Sequence, residues 1–504
     1  MKKNIFTKDW MAMHPFEKPD SVDLYYTNLA NSIYHILDEA CFVHNFKMVE
    51  QAKRLALSVA GYFEDVISGT CIWKTFTAEC KKRYGVYVPF YLGAGEAYEP
   101  DEINLADVKF LLWHHYQQSV FDKEAVPPLF GTLEVAARLV YDLLDKEFET
   151  APENTRLYDF LATQPIDDKH FFQYREVLVW FHFACWFNVS TQPIFFALLD
   201  DFARRNGGLN DAIVYALQME QAVLCRATLL SLPSHEWLAR VSAFHPAHKH
   251  WTDVESRTAR YLRVNSEDEE YVYVTDLYED EELKLAKDSV QIDDYTPFLK
   301  GELVIFTNIF KYGGAWWVNG LMEGRPYDDE IKKAIAEGKD HLHFKEGLAD
   351  YAKLKAKGYG DKFVFLKDCK ALREFCESLG FEEEKLARLP KEAAQGIMVS
   401  GSPYNGLNLT VGIAHCIYSD ANPYYNKERA SQDALNLITG NVPGIPYELV
   451  NRLVEHGMLP DVNVFTSKYV GETGLRMTQD NLQFLADYHL MACKEKDVAP
   501  EELW

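Results

Sequence analysis

Between residues 20 and 240 the apolar side chains recur every three or four positions, in runs cut by glycine and proline. That period commits the first half of the chain to helices. Asp20 or Ser21 can cap a helix whose apolar stripe is Leu24, Leu29, Ile33, Ile36 and Leu37. Further helices are predicted over Val49–Ile67, stopping near Gly69, and over Ile72–Tyr84, stopping at Gly85. Asn104 can cap one that runs to Val120, before Pro127-Pro128 breaks the pattern. Others are predicted over Leu133–Phe148, Phe171–Phe187, Pro193–Arg205 and Leu209–Leu230. Val177–Phe187 is apolar on nearly every side, as a central buried helix must be.

At 504 residues the chain is too long for one core, and about two to four domains are expected. The charge pattern changes abruptly near residue 265. Arg226, Arg240, Lys249, Arg257, Arg260 and Arg263 precede it, and Glu267-Asp268-Glu269-Glu270 follows. This reads as a solvated linker at a domain boundary. Next, Tyr271–Thr275 alternates in the manner of a strand and leads through an acidic turn to Leu283–Ala286. Gly301–Phe310 and Ala315–Leu321 flank Gly313-Gly314, a hairpin signal. The last third mixes strands at Lys362–Leu366 and Leu407–Ala414 with helices at Cys369–Leu379, Lys427–Ile438, Pro446–His456 and Thr478–Met491. The expected fold is therefore multi-domain α+β. It has a helical N-terminal domain over 1–262, a small β-barrel-like module over 266–322, and an α/β C-terminal domain over 323–504.

Composition narrows the partners. The net charge of −24 argues against the whole molecule binding nucleic acid, although a basic groove over 226–263 would be the place for it. No run approaches the ~18–20 apolar residues of a membrane span. Lys2 and Lys3 are followed by no apolar stretch, so no export signal is expected. The 9 cysteines are scattered without a C-x-x-C pair, which suits reduced thiols in a cytoplasm.

Three stretches carry a resemblance. The first is Asp9-Trp10, His14-Pro15-Phe16 and Asp23-Leu24-Tyr25-Tyr26. The second is Tyr62-Phe63-Glu64-Asp65-Val66-Ile67-Ser68 with Ile72-Trp73. The third is Asn422-Pro423-Tyr424-Tyr425-Asn426-Lys427, with Leu449-Val450 and Glu455-His456-Gly457-Met458-Leu459-Pro460-Asp461 after it. Together they resemble a family of proteins of unknown function from gut-dwelling anaerobic bacteria, along almost the whole chain. The resemblance implies a bacterial cytosolic protein and brings no activity, cofactor or catalytic residue with it.

The chain holds no G-x-x-x-x-G-K-[ST], H-E-x-x-H or G-x-S-x-G pattern. His245, His248 and His250 form the densest imidazole cluster, and Asp253 or Glu255 could complete a zinc shell. The plainer reading is a polar linker. Trp316 and Trp317 are neighbours on a predicted strand and must point to opposite faces. One belongs in a core, and the other is either an exposed anchor or packed beneath the helical domain. His415, Asp420, Asn422, Tyr424 and Tyr425 make a polar, aromatic loop after a predicted strand, with Cys416 beside His415. Two functions stay open: a non-enzymatic binding or scaffolding protein with a protein or small-molecule ligand, and a metal-assisted hydrolase built on the histidines.

Overall fold

The computed structural model describes residues 4–494, apart from 47, 121–124, 164–168, 189–190, 207, 225–228, 246–247, 342, 361, 393–395, 403–405, 443–444, 446 and 466–471. The described residues form two compact units, one of 4–120 with 126–335 and 491–494, and one of 125 with 336–490. The chain mixes helix and sheet, with helices in its N-terminal region and strands after it.

The first unit begins with helices α1 (Thr7–Met11), α2 (Ser21–Glu39), α3 (Val49–Ser68), α4 (Ile72–Tyr84), α5 (Leu105–Val120) and α6 (Gly131–Glu147). They are followed by α7 (Thr155–Tyr158), α8 (Phe171–Phe183), α9 (Thr191–Asn206), α10 (Asp211–Leu224) and α11 (Ser234–Val241). Local chemistry sets the helix ends. Asp20 accepts from the Val22 and Asp23 N–H groups at 2.8 and 3.2 Å, and Asp23 accepts from the Asp20 N–H at 2.8 Å. This reciprocal cap satisfies donors that an open helix end would leave bare. Gly69 closes α3 at φ 66°, in the left-handed region. Asp65, one turn earlier, caps the next helix by accepting from the Ile72 and Trp73 N–H groups at 2.9 and 2.7 Å. Trp10, Trp73, Trp113 and Trp237 are fully buried between these helices. Gly61 sits mid-helix because α3 passes Trp186 there, and a Cβ would lie 2.6 Å from that side chain.

No single described helix is long and apolar enough to cross a membrane. Only α3 and α4 taken together pass that test, and they meet at 92° with their apolar residues in the core.

Five strands then pair in a circuit. They are β1 (Glu255–Glu267), β2 (Tyr271–Asp276), β3 (Glu281–Ala286), β4 (Leu303–Tyr312) and β5 (Ala315–Pro326), with α12 (Thr296–Leu299) between β3 and β4. The order is β1-β2-β3-β5-β4, and β4 pairs back onto β1. All ladders are antiparallel except the seam between β3 and β5, a single parallel pair of Leu285 with Trp316. The end of the stretch read from sequence as a charged linker is thus strand β1, and helix α11 lies within its earlier part. The alternation of β1 is broken by a bulge between Arg257 and Arg260, with Ala259 at φ 48°. The bulge bends β1 so that its first half pairs with β4 and its second with β2.

The circuit has an inside and two outsides. Leu262, Val264, Val272, Val274, Leu285, Ile309 and Trp316 meet within it. On the β4–β5 side, Phe310, Tyr312 and Trp317 pack on α8, where Tyr174 stacks on Tyr312 at 5.1 Å and Phe171 on Trp317 at 5.4 Å. Gly320, at φ 108°, faces α10, and a Cβ added there would stand 3.8 Å from Ala216 Cα. Ile331 and Ile335, at the start of α13 (Asp329–His341), cover a second patch with Tyr261, Val304 and Phe306.

The second unit carries α14 (His343–Ala356) and a three-stranded antiparallel sheet of β6 (Val364–Leu366), β7 (Ile397–Ser402) and β8 (Gly406–Thr410). Helices α15 (Cys369–Ser378) and α16 (Glu383–Ala387) lie between β6 and β7 in sequence. Leu354, Leu372, Phe381, Ile397 and Val399 build the core of this part. Helices α17 (Lys427–Ile438), α18 (Tyr447–Glu455), α19 (Glu472–Asp480) and α20 (Leu482–Lys494) follow.

Candidate binding site

The first two resembling stretches meet in one buried network. His14 Nδ1 faces the Trp10 carbonyl at 3.0 Å and Nε2 faces Glu64 Oε2 at 2.8 Å. A carbonyl and a carboxylate only accept, so both ring nitrogens donate and the ring is an imidazolium. Burial opposes that charge, but the Glu64 charge and hydrogen bond, with the Trp10 carbonyl and Asp23, raise its pKa overall. Asn154 donates to Glu64 Oε1 at 2.8 Å, Trp10 Nε1 to Asp23 at 3.2 Å, and Arg156 to Asp23 at 2.7 Å. Glu64 is 1% exposed and Asp23 is 0%, so the network ties α1, α2, α3 and α7 together out of reach of a substrate.

Among the described residues the histidine cluster does not assemble a metal shell. His245 Nε2 meets the Thr70 carbonyl at 3.1 Å, and the His248 ring lies 3.9 Å from that of Trp251. Burial, then the neighbouring His245, pushes His248 down to about 4. Asp253 is committed to Lys311 at 3.2 Å and Glu255 to Arg257 at 2.9 Å. The His250 side chain lies outside the described residues. Among the described residues no three His, Cys, Asp or Glu side chains group as metal ligands would.

Both tryptophans are covered. Trp316 lies inside the strand circuit with the Arg257 guanidinium 4.5 Å over its ring. Trp317 packs beneath α8 and donates from Nε1 to the Tyr312 carbonyl at 3.1 Å. Neither is an exposed anchor, because the strand circuit fills its interior with one indole and docks on the helices with the other.

In the second unit, the 414–426 loop is folded by its asparagines. Asn422 donates to the Ala414 and Ile417 carbonyls at 2.6 and 2.7 Å and accepts from the Tyr424 N–H at 3.0 Å. His415 pairs with Asp433 of α17, a partner with no sequence signal, being on the next helix. Cys416 is buried, donates to the Ile413 carbonyl at 3.2 Å, and is pushed up to about 12 by burial. His415 and Cys416 are therefore no nucleophile–base pair. Tyr425 meets the exposed Tyr418 edge-on at 5.6 Å, and Asp420 stands in solvent. Tyr418 also donates its N–H to the Met458 carbonyl at 2.7 Å, tying this loop to the second half of the third resembling stretch.

A further surface is the outer face of β1, β2 and β3, opposite in facing to the interior residues Val272 and Val274. The register sets Tyr273 beside Lys284 and Thr275 between Arg263 and Glu282. Tyr273 is 39% exposed and donates its hydroxyl to Asp268 at 2.9 Å. Lys284 Nζ lies 4.6 Å over the Tyr271 ring, and Asn265 donates to the Thr275 hydroxyl at 2.9 Å. Two tyrosines two positions apart on a strand were the sequence signal for this face.

Among curated proteins and solved structures nothing matches the chain. A family model described as a protein of unknown function, DUF3843, matches residues 4–301 and 328–491, and the chain belongs to that family.

Proposed function

We propose that this is a non-enzymatic binding protein whose β-module is a small barrel that takes a sugar chain on the outer face of β1–β3. The order β1-β2-β3-β5-β4, the parallel seam and the shared, bent first strand follow the OB-fold pattern, whose β2–β3 face binds oligonucleotides and oligosaccharides. Topology alone assigns no function. The observation that carries the reading is the open Tyr273 ring among Arg263, Asn265, Thr275, Glu282 and Lys284, a stacking plane ringed by donors and acceptors.

Charge chooses between the two ligand classes. The loop beside this face is Glu267-Asp268-Glu269-Glu270, and the chain carries −24 overall. A polyanion would be repelled, whereas a neutral sugar chain would not. The metal-assisted hydrolase is not favoured, since no ligand group forms among the described residues. Affinity electrophoresis of the full chain in gels containing soluble glucans, xylan or mannan tests the proposal. At least one should retard it, with little change on adding salt. Retardation by single-stranded DNA instead, falling steeply with salt, would overturn the sugar assignment, as would no retardation by any polysaccharide.

A further inference from the structure

We infer that the seat of β5 on α10 is a proton-controlled latch, closed while the Glu220 carboxyl is neutral and loosened when it ionises. Trp317 docks β5 on α8. Three positions on, Gly320 faces α10, where an added Cβ would lie 3.8 Å from Ala216 Cα and 3.9 Å from Met219 Cβ. Glu220 follows Met219 and stands one turn beyond Ala216, on the same side of the helix.

Glu220 is 6% exposed and makes no hydrogen bond or ion pair with any described residue. Asn319, beside Gly320 on β5, also buries its Oδ1 without a donor. Native folds pair nearly all buried polar groups, so two unpaired ones at one seam call for a reason beyond packing. A leucine at 220 would pack there without the cost of burying a carboxyl.

The charged groups on the elements around α10 leave Glu220 alone. On α8, Arg175 lies 5.7 Å over the Tyr215 ring, His182 meets the Ser234 hydroxyl at 2.8 Å, and Glu176 is exposed. On α11, His235 Nδ1 faces the Val223 carbonyl at 2.9 Å, and Arg240 reaches Glu79 and Glu236 at 3.2 and 3.4 Å. On α9, Arg204 pairs with Asp201 at 3.4 Å and Asp200 is exposed. On β5, Glu323 holds Arg325 at 2.9 Å. Burial is the one influence left on Glu220, and it pushes the carboxyl up to about 7.

The folded value stands above the ordinary 4.5, so the folded state holds this proton more tightly. The stability that the neutral carboxyl gives is complete below 4.5 and is lost as pH rises through about 7. The strain of the anion falls where it is buried, on α10 and β5. The latch does not depend on the sugar-binding reading.

The test is amide exchange of the full chain, comparing wild type with Glu220→Gln and Glu220→Leu at each pH, so that the intrinsic pH dependence of exchange cancels. Glutamine copies the neutral carboxyl in size, and leucine removes the polar group. At about pH 5 the three proteins should exchange alike in α10 and β5. At about pH 8 the wild type should exchange there at least about tenfold faster than either variant, while β2 and β3 stay level. The same ratio of wild type to Glu220→Gln at both pH values would overturn the inference. So would a ratio that changes equally in α10, β5, β2 and β3, because the ionisation would then act on the whole unit and not on the seam.

Discussion

Trp316 and Trp317 are consecutive on β5 and serve opposite sides of the module: Arg257 covers the first at 4.5 Å, while the second stacks on Phe171 of α8 at 5.4 Å. The pleat of one strand thus makes the module's core and its dock on the helical body at a single step. Trp317→Ala should cost about 3–5 kcal/mol in denaturant unfolding, the usual loss for a buried indole. Trp317→Phe should retain most of that, since a ring still meets Phe171. Amide exchange should rise in β4 and β5 before it rises in β2 and β3. A Trp317→Ala variant as stable as the wild type would contradict the dock.

Arg257 also closes one end of the circuit. Its guanidinium reaches Asp276 at 3.4 Å and Glu281 at 2.9 Å, and Asp276 is fully buried. Removing one partner of a buried pair strands the other charge. Asp276→Asn should therefore destabilise by about 3 kcal/mol. Arg260 faces the same carboxylate at 3.8 Å, so Arg257→Met with Asp276→Leu should recover only part of the loss. Chemical denaturation of the single and double variants reads this directly.

The His14–Glu64 pair predicts a pH dependence. The folded pKa of His14 stands above the unfolded value of 6.5, so the folded state holds the proton more tightly. The stability this gives is complete below 6.5 and is lost as pH rises through the folded value. The gap in unfolding free energy between wild type and His14→Gln should be widest near about pH 6 and should shrink toward about pH 9. A gap that widens with pH would mean that His14 is neutral when folded.

Gly61→Ala has a sign worth measuring. In an open helix this change gains roughly 0.5–1 kcal/mol. Here the new Cβ would stand 2.6 Å from Trp186 Cβ, and overpacking of a core costs about 1–3 kcal/mol. The melting temperature of Gly61→Ala should fall.

Helical period and stop residues made most of the first unit legible. Ile72–Tyr84 matches the expected span, and α3 ends at Gly69 as its glycine implies. Strand β1 was not legible, because its bulge interrupts the two-residue period and because Arg257 and Arg260 turn inward to Asp276 instead of to water. Strand β7 was missed too, since Ile397–Ser402 is short and ends in serine and glycine. The pairing of His14 with Glu64 spans 50 positions, and no local pattern announces it. His415 with Asp433 is the same kind of case. The Trp316-Trp317 alternation was visible, but which faces were covered depended on α8, far away in the chain.

The most direct test of the sugar-binding face is a titration of wild type and Tyr273→Ala with an oligosaccharide taken from whichever polysaccharide retards the full chain. Tyr273→Ala should bind about tenfold more weakly, the equivalent of one stacked ring at roughly 1.4 kcal/mol, with unfolding unchanged because that ring is not part of the core. Equal affinity in the two proteins would contradict it and move the ligand off the β1–β3 face.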